Sequence, residues 1–234
     1  MGMRIGLICP IEFGYNQNPG CHMITAGIRY LIRRAIPDAE FVSIDMLQDD
    51  PVHWSVAATC DAVILCGNPR FSMSANQWWV NGIWHRLALL QIAGIKVIDG
   101  WAGAAVELLP QRDTEQMAAM LFEAPRNGDY LALARLLTGR ISRDPVMQRL
   151  YERAGASSVL LPCSSWWAAN WHHVEAAEKD VDAIVLFALP GHDWLPEYLR
   201  AQQARMATER PCILLATTWG DYLWARGAGL DDAV

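Results

Sequence analysis

The sequence of 234 residues lacks several features that would at once assign a protein to a broad class. It has no run of eighteen apolar residues free of charge, so we expect no transmembrane helix. Its first residues lead into a strand-like segment without the apolar core of a secretory signal, so we expect a cytoplasmic protein. Repeats and low-complexity tracts are also lacking, which argues against a repeat array.

Motifs for metals and common cofactors are lacking as well. The six cysteines show no paired CxxC spacing, which indicates structural thiols rather than disulfides or a zinc site. Neither a P-loop nor a GxGxxG fingerprint is present, so we predict no ATP, no NAD and no other cofactor. The pair His172 and His173 lacks further ligands at suitable spacing, so we predict no metal. A net charge of −6 disfavours broad binding of nucleic acid but leaves a local basic cleft open.

The N-terminal 46 residues contain the most informative pattern of the chain. Residues 3–10 and residues 41–45 are strand-like apolar runs. Between them, apolar residues spaced by three and four predict a helix that starts near Cys21 and ends before Pro37. Its buried face is expected to consist of Ile24, Ile28, Leu31, Ile32 and Ala35. The result is a βαβ unit, whose first loop lies at the carboxyl ends of the strands, where α/β proteins bind ligands.

Strand-like and helical segments alternate along the rest of the chain, which predicts a doubly wound parallel α/β sheet. Further strands are expected at 61–66, 95–99, 140–144, 159–163, 182–187 and 211–215, and a last helix near 219–227. Turns rich in glycine are predicted at 67–70 and 100–103. The polar stretch around 164–182 predicts a boundary between a Rossmann-like N-terminal domain at 1–165 and a smaller C-terminal α/β lobe at 166–234.

Five short motifs follow one another in a distinctive order. They are Asn18-Pro19-Gly20-Cys21 at a helix start, a strand from Asp61 to a turn at Gly67, Gly100 to Gly103, Arg143-Asp144 before a helix, and Pro162-Cys163 after a strand. In this order, residues 3–165 resemble the polysaccharide pyruvyl transferase family, whose members adopt a two-lobed GT-B-like fold. The resemblance implies a GT-B-like protein with a full N-terminal lobe and a reduced C-terminal lobe. It also implies a transferase that acts on a sugar- or nucleotide-containing acceptor in a cleft between the lobes.

Three departures from the family pattern bear on the donor. Cys21 and Cys163 stand where the family has aspartate, and the family's Arg-x-His motif, expected to contact phosphoenolpyruvate, has no counterpart. Phosphoenolpyruvate and a nucleotide sugar therefore both stay open as donors, with a glycan or a nucleotide as acceptor. A homo-oligomer stays open as well.

The candidate catalytic residues are Cys21, Asp144 and His172. A thiol at a helix N-terminus is favoured as a nucleophilic thiolate, and Asp144 or a histidine would move a proton. We expect His22 to point away from Cys21, because neighbours along a helix do not share a face. The candidate substrate-binding residues are Asn18, Gly20, Gly67, Asn68, Arg70, Arg143 and Trp101. The structural alternatives are that Cys21 fills space and that Asp144 caps its helix.

Two other functions stay open beside the transferase implied by the resemblance. One is a Cys-dependent acyl or aminoacyl transferase that modifies a nucleic-acid base, with Cys21 as nucleophile. The other is a non-catalytic binding member of the fold. The eleven tryptophans are interpreted as core and interface packing, with stacking on sugars or bases as the alternative.

Overall fold

The computed structural model describes most of the chain, and the described residues fall into two compact units. The described ranges are 2–9, 19–46, 51–67, 69–72, 78–105, 113–173, 182–186, 195–206 and 212–216. The first unit takes in the described residues of 2–9 and 21–173, and the second takes in residues 19–20 and the described residues from 182 onward. Each unit is described by itself.

The first unit alternates strands and helices around one parallel sheet. Its elements are β1 (Arg4–Cys9), α1 (Pro19–Ala35), β2 (Glu40–Asp45), α2 (Pro51–Ser55), β3 (Ala62–Cys66), β4 (Pro69–Ser72), α3 (Trp78–Ile92), β5 (Lys96–Ala105), α4 (Thr114–Glu123), α5 (Asn127–Ala134), β6 (Gly139–Ser142), α6 (Pro145–Arg153), β7 (Val159–Leu160) and α7 (Ala168–Trp171). Short 3₁₀ helices lie at Ala57–Thr59 and Ser164–Trp167. The strands follow the order β2-β1-β3-β5-β6-β7, all parallel, with β4 paired to β5 beside this path. The expected parallel α/β sheet is confirmed.

The direction in which the chain winds decides which helix covers which face of the sheet. The step from β1 to β2 runs toward one edge, whereas the later steps to β3, β5, β6 and β7 run toward the other. Because crossovers between parallel strands are right-handed, helices that connect steps in opposite directions along the sheet lie on opposite faces. Accordingly, α1 shares a buried cluster with Leu7 and Cys9, and α3 to α6 share another with Ile8 and Leu65. Among the described elements, α1 is therefore the single crossover helix on its face of the sheet.

Large aromatic side chains fill the core under α3 to α6. Phe71, Trp84 and Tyr151 have no solvent exposure, and the Phe71 ring centroid lies 5.6 Å from that of Trp84 and 6.2 Å from that of Tyr151. The Tyr151 hydroxyl donates to the carboxylate of Asp99, which is fully buried in β5. Trp84 thus has the packing role expected of a core tryptophan, whereas Trp166 is 80% exposed.

Two glycine-rich segments expected to be turns contain strand. The prediction of a turn at 100–103 is wrong, because β5 continues to Ala105. Its pairing with β6 shifts register between Asp99 and Ala102, and Trp101 in this bulge has a φ of 53°. The turn expected at 67–70 is partly wrong, since β4 begins at Pro69 and pairs with the end of β5. Partners from neighbouring strands override the local preference of glycine for turns.

The segment after β7 covers the face of the sheet beside α1, and it touches this helix at Gly27. A Cβ atom on Gly27 would overlap the carbonyl oxygen of Ser164. The buried Ser164 hydroxyl donates to the carbonyl of Ile24 at 3.0 Å. The missing side chain of Gly27 therefore permits the backbone contact that holds residues 162–171 against α1.

The second unit contains β8 (Asp182–Leu186), α8 (Leu195–Met206) and β9 (Cys212–Ala216). The two strands are parallel and pair along their whole length, which makes a βαβ unit as the alternating pattern predicts. The helix predicted near 219–227 lies outside the described residues. Within the described part of the chain, no helix is long and apolar enough to cross a membrane.

We predict that Gly27→Ala lowers the free energy of unfolding by about 2–3 kcal/mol, because the new methyl group would overpack a backbone contact. The matched control is Gly82→Ala, since Gly82 lies exposed on α3 and a Cβ there would meet nothing within 4 Å. This control should raise the free energy of unfolding by roughly 0.5–1 kcal/mol through helix propensity. Urea unfolding of both variants measures the difference, and equal stabilities would rule out the Gly27 contact.

Candidate functional site

A cavity of about 130 Å³ lies between α1 and the carboxyl halves of β1 and β2. It is lined by Cys9, Cys21, His22, Thr25, Ala26, Arg29, Ser43 and His172. Most of these side chains are polar, and the lining contains a thiol near the helix start, two imidazoles and a guanidinium. The carboxyl edge of a parallel sheet is where open α/β proteins bind their ligands.

The periodicities of helix and strand bring the lining residues together. Cys21, Thr25 and Arg29 are four residues apart and form one stripe along α1. Ser43 of β2 pairs with Leu7 of β1. Leu7 and Cys9 both belong to the cluster under α1, so Ser43 lies on the same face of the sheet as this helix. His172 follows α7, which reaches this place because residues 162–171 pack along α1.

Two of the predicted catalytic residues, Cys21 and His172, line this same cavity. Cys21 is half-buried, and its backbone carbonyl accepts a hydrogen bond of 2.9 Å from the Thr25 hydroxyl. His172 is exposed. Although His22 is the next residue along the helix, it lines the cavity together with Cys21. Consecutive residues of a helix are about 100° apart around its axis, and a cavity beside the helix can be lined by two of them.

Arg29 is a cavity residue that the sequence reasoning missed. Its Nη2 donates to the Ser43 hydroxyl at 2.7 Å, and its guanidinium lies 5.9 Å from the ring centroid of Trp171. The Nε atom is buried, and no described group accepts a hydrogen bond from it. The signal for Arg29 was its position eight residues after Cys21, on the same stripe of the helix.

Asp144 and Arg143 have structural contacts away from this cavity. One Asp144 oxygen accepts from the backbone N–H of Met147 at 2.8 Å, and the other from that of Ala104 at 3.0 Å. Both oxygens thus join the start of α6 to the end of β5. The Arg143 guanidinium lies so close to Gly103 that a Cβ there would overlap it. This geometry favours the helix-cap alternative for Asp144 over proton transfer.

The remaining candidate residues are placed as follows. Trp101 is 5% exposed, and its indole N–H donates to the carbonyl of Pro162 at 2.9 Å, so the ring is part of the core. Gly67 is buried with a φ of 53° and donates to the carbonyl of Gly100 at 2.9 Å. Gly20 lies in α1 and Arg70 in β4. Asn18, Asn68 and the Arg70 side chain lie outside what the structure describes.

The cysteines occupy different environments. Five cysteines are thiols, and no disulfide joins any two of them: Cys9, Cys21, Cys60, Cys66 and Cys163. Cys9, Cys60 and Cys66 are buried, and burial raises the pKa of the Cys60 thiol. Cys163 packs against the cluster under α1 and accepts from the Ser165 hydroxyl at 3.2 Å. Cys21 therefore lines the cavity, whereas Cys163 packs against the core.

Neither a protein-family model nor a curated protein matches this chain, so its function is argued from the geometry of the site.

We predict that Asp144→Ala lowers the free energy of unfolding by about 2–3 kcal/mol, since it removes a helix cap and leaves the N–H of Ala104 without its acceptor. Asp113→Ala is the matched control, because exposed Asp113 caps α4 through one bond to Gln116. Its loss should cost about 1 kcal/mol. Chemical unfolding compares the two variants, and an Asp144 effect no larger than that of Asp113 would contradict the bridging role.

Proposed function

We propose that this protein is a transferase, as its resemblance to the polysaccharide pyruvyl transferases implies, and that its donor binds in the cavity beside α1. The observation that carries the proposal is the polar cavity itself, which combines thiol, imidazole, hydroxyl and guanidinium groups at the carboxyl edge of β1 and β2. Clusters of this kind at a sheet edge are the usual sites of α/β enzymes.

The two imidazoles supply the proton chemistry that group transfer requires. With a nucleotide sugar, His172 takes the proton of an acceptor hydroxyl, which attacks the anomeric carbon while the bond from this carbon to the diphosphate oxygen breaks. With phosphoenolpyruvate, His172 takes the hydroxyl proton and His22 protonates C3 as the hydroxyl adds to C2, and phosphate then leaves as C3 returns its proton. Phosphoenolpyruvate and a nucleotide sugar are the donors under this proposal, and a glycan or a nucleotide is the acceptor. The GT-B-like architecture belongs to the same proposal and is supported by the order of motifs in residues 3–165.

We predict that one of these donors stabilises the protein and is turned over in the presence of an acceptor. Saturation a hundredfold above Kd adds about 2.7 kcal/mol to folding, which raises Tm by about 2–4 °C for each kcal/mol. His172→Gln should lower turnover by about 100-fold or more, because it removes the proton acceptor. His85→Gln is the control, since His85 is exposed on α3 and is not part of the cavity lining.

Thermal shift with phosphoenolpyruvate, nucleotide sugars and nucleotides measures binding, and mass spectrometry of the acceptor measures transfer. Full turnover by His172→Gln would contradict the proton role. Binding without any transfer would favour the non-catalytic alternative.

A second function is favoured by the position of Cys21 and His172 in one cavity. The chain would then be a Cys-dependent acyl or aminoacyl transferase that modifies a nucleic-acid base. His172 takes the thiol proton, the thiolate attacks the acyl carbon and the leaving group departs. An amine or hydroxyl of the base then attacks the thioester, which releases the thiol again.

We predict for this second function that Cys21→Ser lowers turnover by at least about 100-fold, because a hydroxyl is a far weaker nucleophile than a thiolate at neutral pH. Cys163→Ser should leave turnover near that of the unaltered protein, since Cys163 packs against the core outside the cavity lining. Intact-mass spectrometry should detect an acyl adduct on the protein with Cys21 intact. Undiminished turnover in Cys21→Ser would rule out the thioester route and leave the first proposal standing.

A further inference from the structure

Arg29 has a positive charge that no carboxylate of the described residues balances. Within the described part of the chain, no ion pair involves Arg29 or Arg33, which lies one helical turn further along α1. Arginine is always charged and is seldom buried without a counter-charge. The unpartnered buried Nε of Arg29 adds a second unmet requirement, since an unsatisfied buried donor costs about 1–3 kcal/mol.

The Arg29 guanidinium is held in place by a hydrogen bond and by ring contacts, without an ion pair to any described carboxylate. Ser43 accepts from its Nη2, and the indole of Trp171 lies beneath it. Trp171 in turn packs edge-to-face on Phe41, and Arg33 lies 5.4 Å from the Phe41 ring centroid. A guanidinium fixed in this way loses less entropy when it binds a planar anion.

The cavity beside Arg29 suits a small anion by its charge and its size. Its lining includes one arginine, two histidines and two hydroxyls, and none of the described lining residues carries a carboxylate. The volume of about 130 Å³ is that of roughly four water molecules at about 30 Å³ each. Pockets for drug-sized ligands measure about 300–1,000 Å³. The cavity therefore fits the charged group of a donor, and the rest of a donor as large as a nucleotide sugar would extend beyond it.

We infer that the cavity is an oxyanion site in which Arg29 anchors a carboxylate or phosphoryl group of a small substrate. The anchored group lies beside Cys21 and His172, the side chains to which the proposed function assigns chemistry. This inference rests on that proposed function and deepens it, because it names the part of the donor that the cavity binds.

Titration calorimetry at physiological ionic strength tests the inference with two probes, inorganic phosphate and pyruvate. The unaltered protein should bind at least one of them saturably, and the probe that binds shows whether the group is phosphoryl or carboxylate. Arg29→Gln should weaken binding by at least about tenfold, the usual effect of losing a charge-assisted hydrogen bond.

Arg33→Gln is the matched control, because it removes an equal charge one turn away, and Arg33 is outside the cavity lining. Exposed Arg33 acts on a bound anion only through water of high dielectric constant, so the affinity of Arg33→Gln for either probe should change by less than about threefold. Equal weakening by the two variants would show a general charge effect and overturn the site. Failure of both probes to bind the unaltered protein would overturn it as well.

A measurement on the unaltered protein covers the case in which Arg29→Gln does not fold. An anion bound beside Cys21 should slow its alkylation by iodoacetamide, with Cys163 as the internal reference, and mass spectrometry of peptides gives both rates. Unchanged Cys21 alkylation up to the highest soluble concentration of both anions would overturn the site.

Anion binding that depends on Arg29 without any transfer would refute the transferase and retain the site. Full transfer by Arg29→Gln would refute the site and retain the transferase.

Discussion

The backbone contact between Gly27 and Ser164 is the constraint on which the arrangement of the first unit depends. The strand order sends one crossover helix, α1, to its face of the sheet, and this leaves apolar residues of that face to be covered by other means. The segment after β7 provides that cover, and the missing side chain of Gly27 lets it approach. The same approach brings His172 to the cavity that contains Cys21. The same contact between Gly27 and Ser164 is therefore required both for packing this face of the core and for placing His172 in the candidate site.

Much of the fold was predictable because its periodic signals are strong. The buried strands around Leu7 and Val63, and the helix that starts before Cys21 and ends before Pro37, follow from local spacing alone. Trp101 was not predictable, because its left-handed backbone arises from a bulge that neighbouring strands impose. Strand β4 was missed for a similar reason. Gly67 and Pro69 indicate a turn by themselves, and residues 69–72 form a strand because the end of β5 pairs with them.

The candidate site was predictable in part. Cys21 could be singled out because it stands at a helix start on the ligand side of a βαβ unit, and Arg29 shares its stripe by helical periodicity. Ser43 gave no signal, since a serine within a strand is unremarkable until the register with β1 turns it toward α1. The signal from Asp144 was ambiguous. A carboxylate between a strand and a helix is equally typical of a catalytic acid and of a cap, and the hydrogen bonds from Met147 and Ala104 show that Asp144 serves as a cap.

An aspartate in place of cysteine would have a different physical effect at position 163 and at position 21. Cys163 packs among apolar side chains, where an aspartate would have to bury its carboxylate at a desolvation cost. Cys21 lines a cavity that also contains Arg29, where an aspartate would add a negative charge to the same lining. With cysteine at this position, the Arg29 guanidinium is the one permanent charge among the described lining residues. The thiol thus leaves the cavity more positive than a carboxylate would, which favours an anion that an aspartate at position 21 would repel.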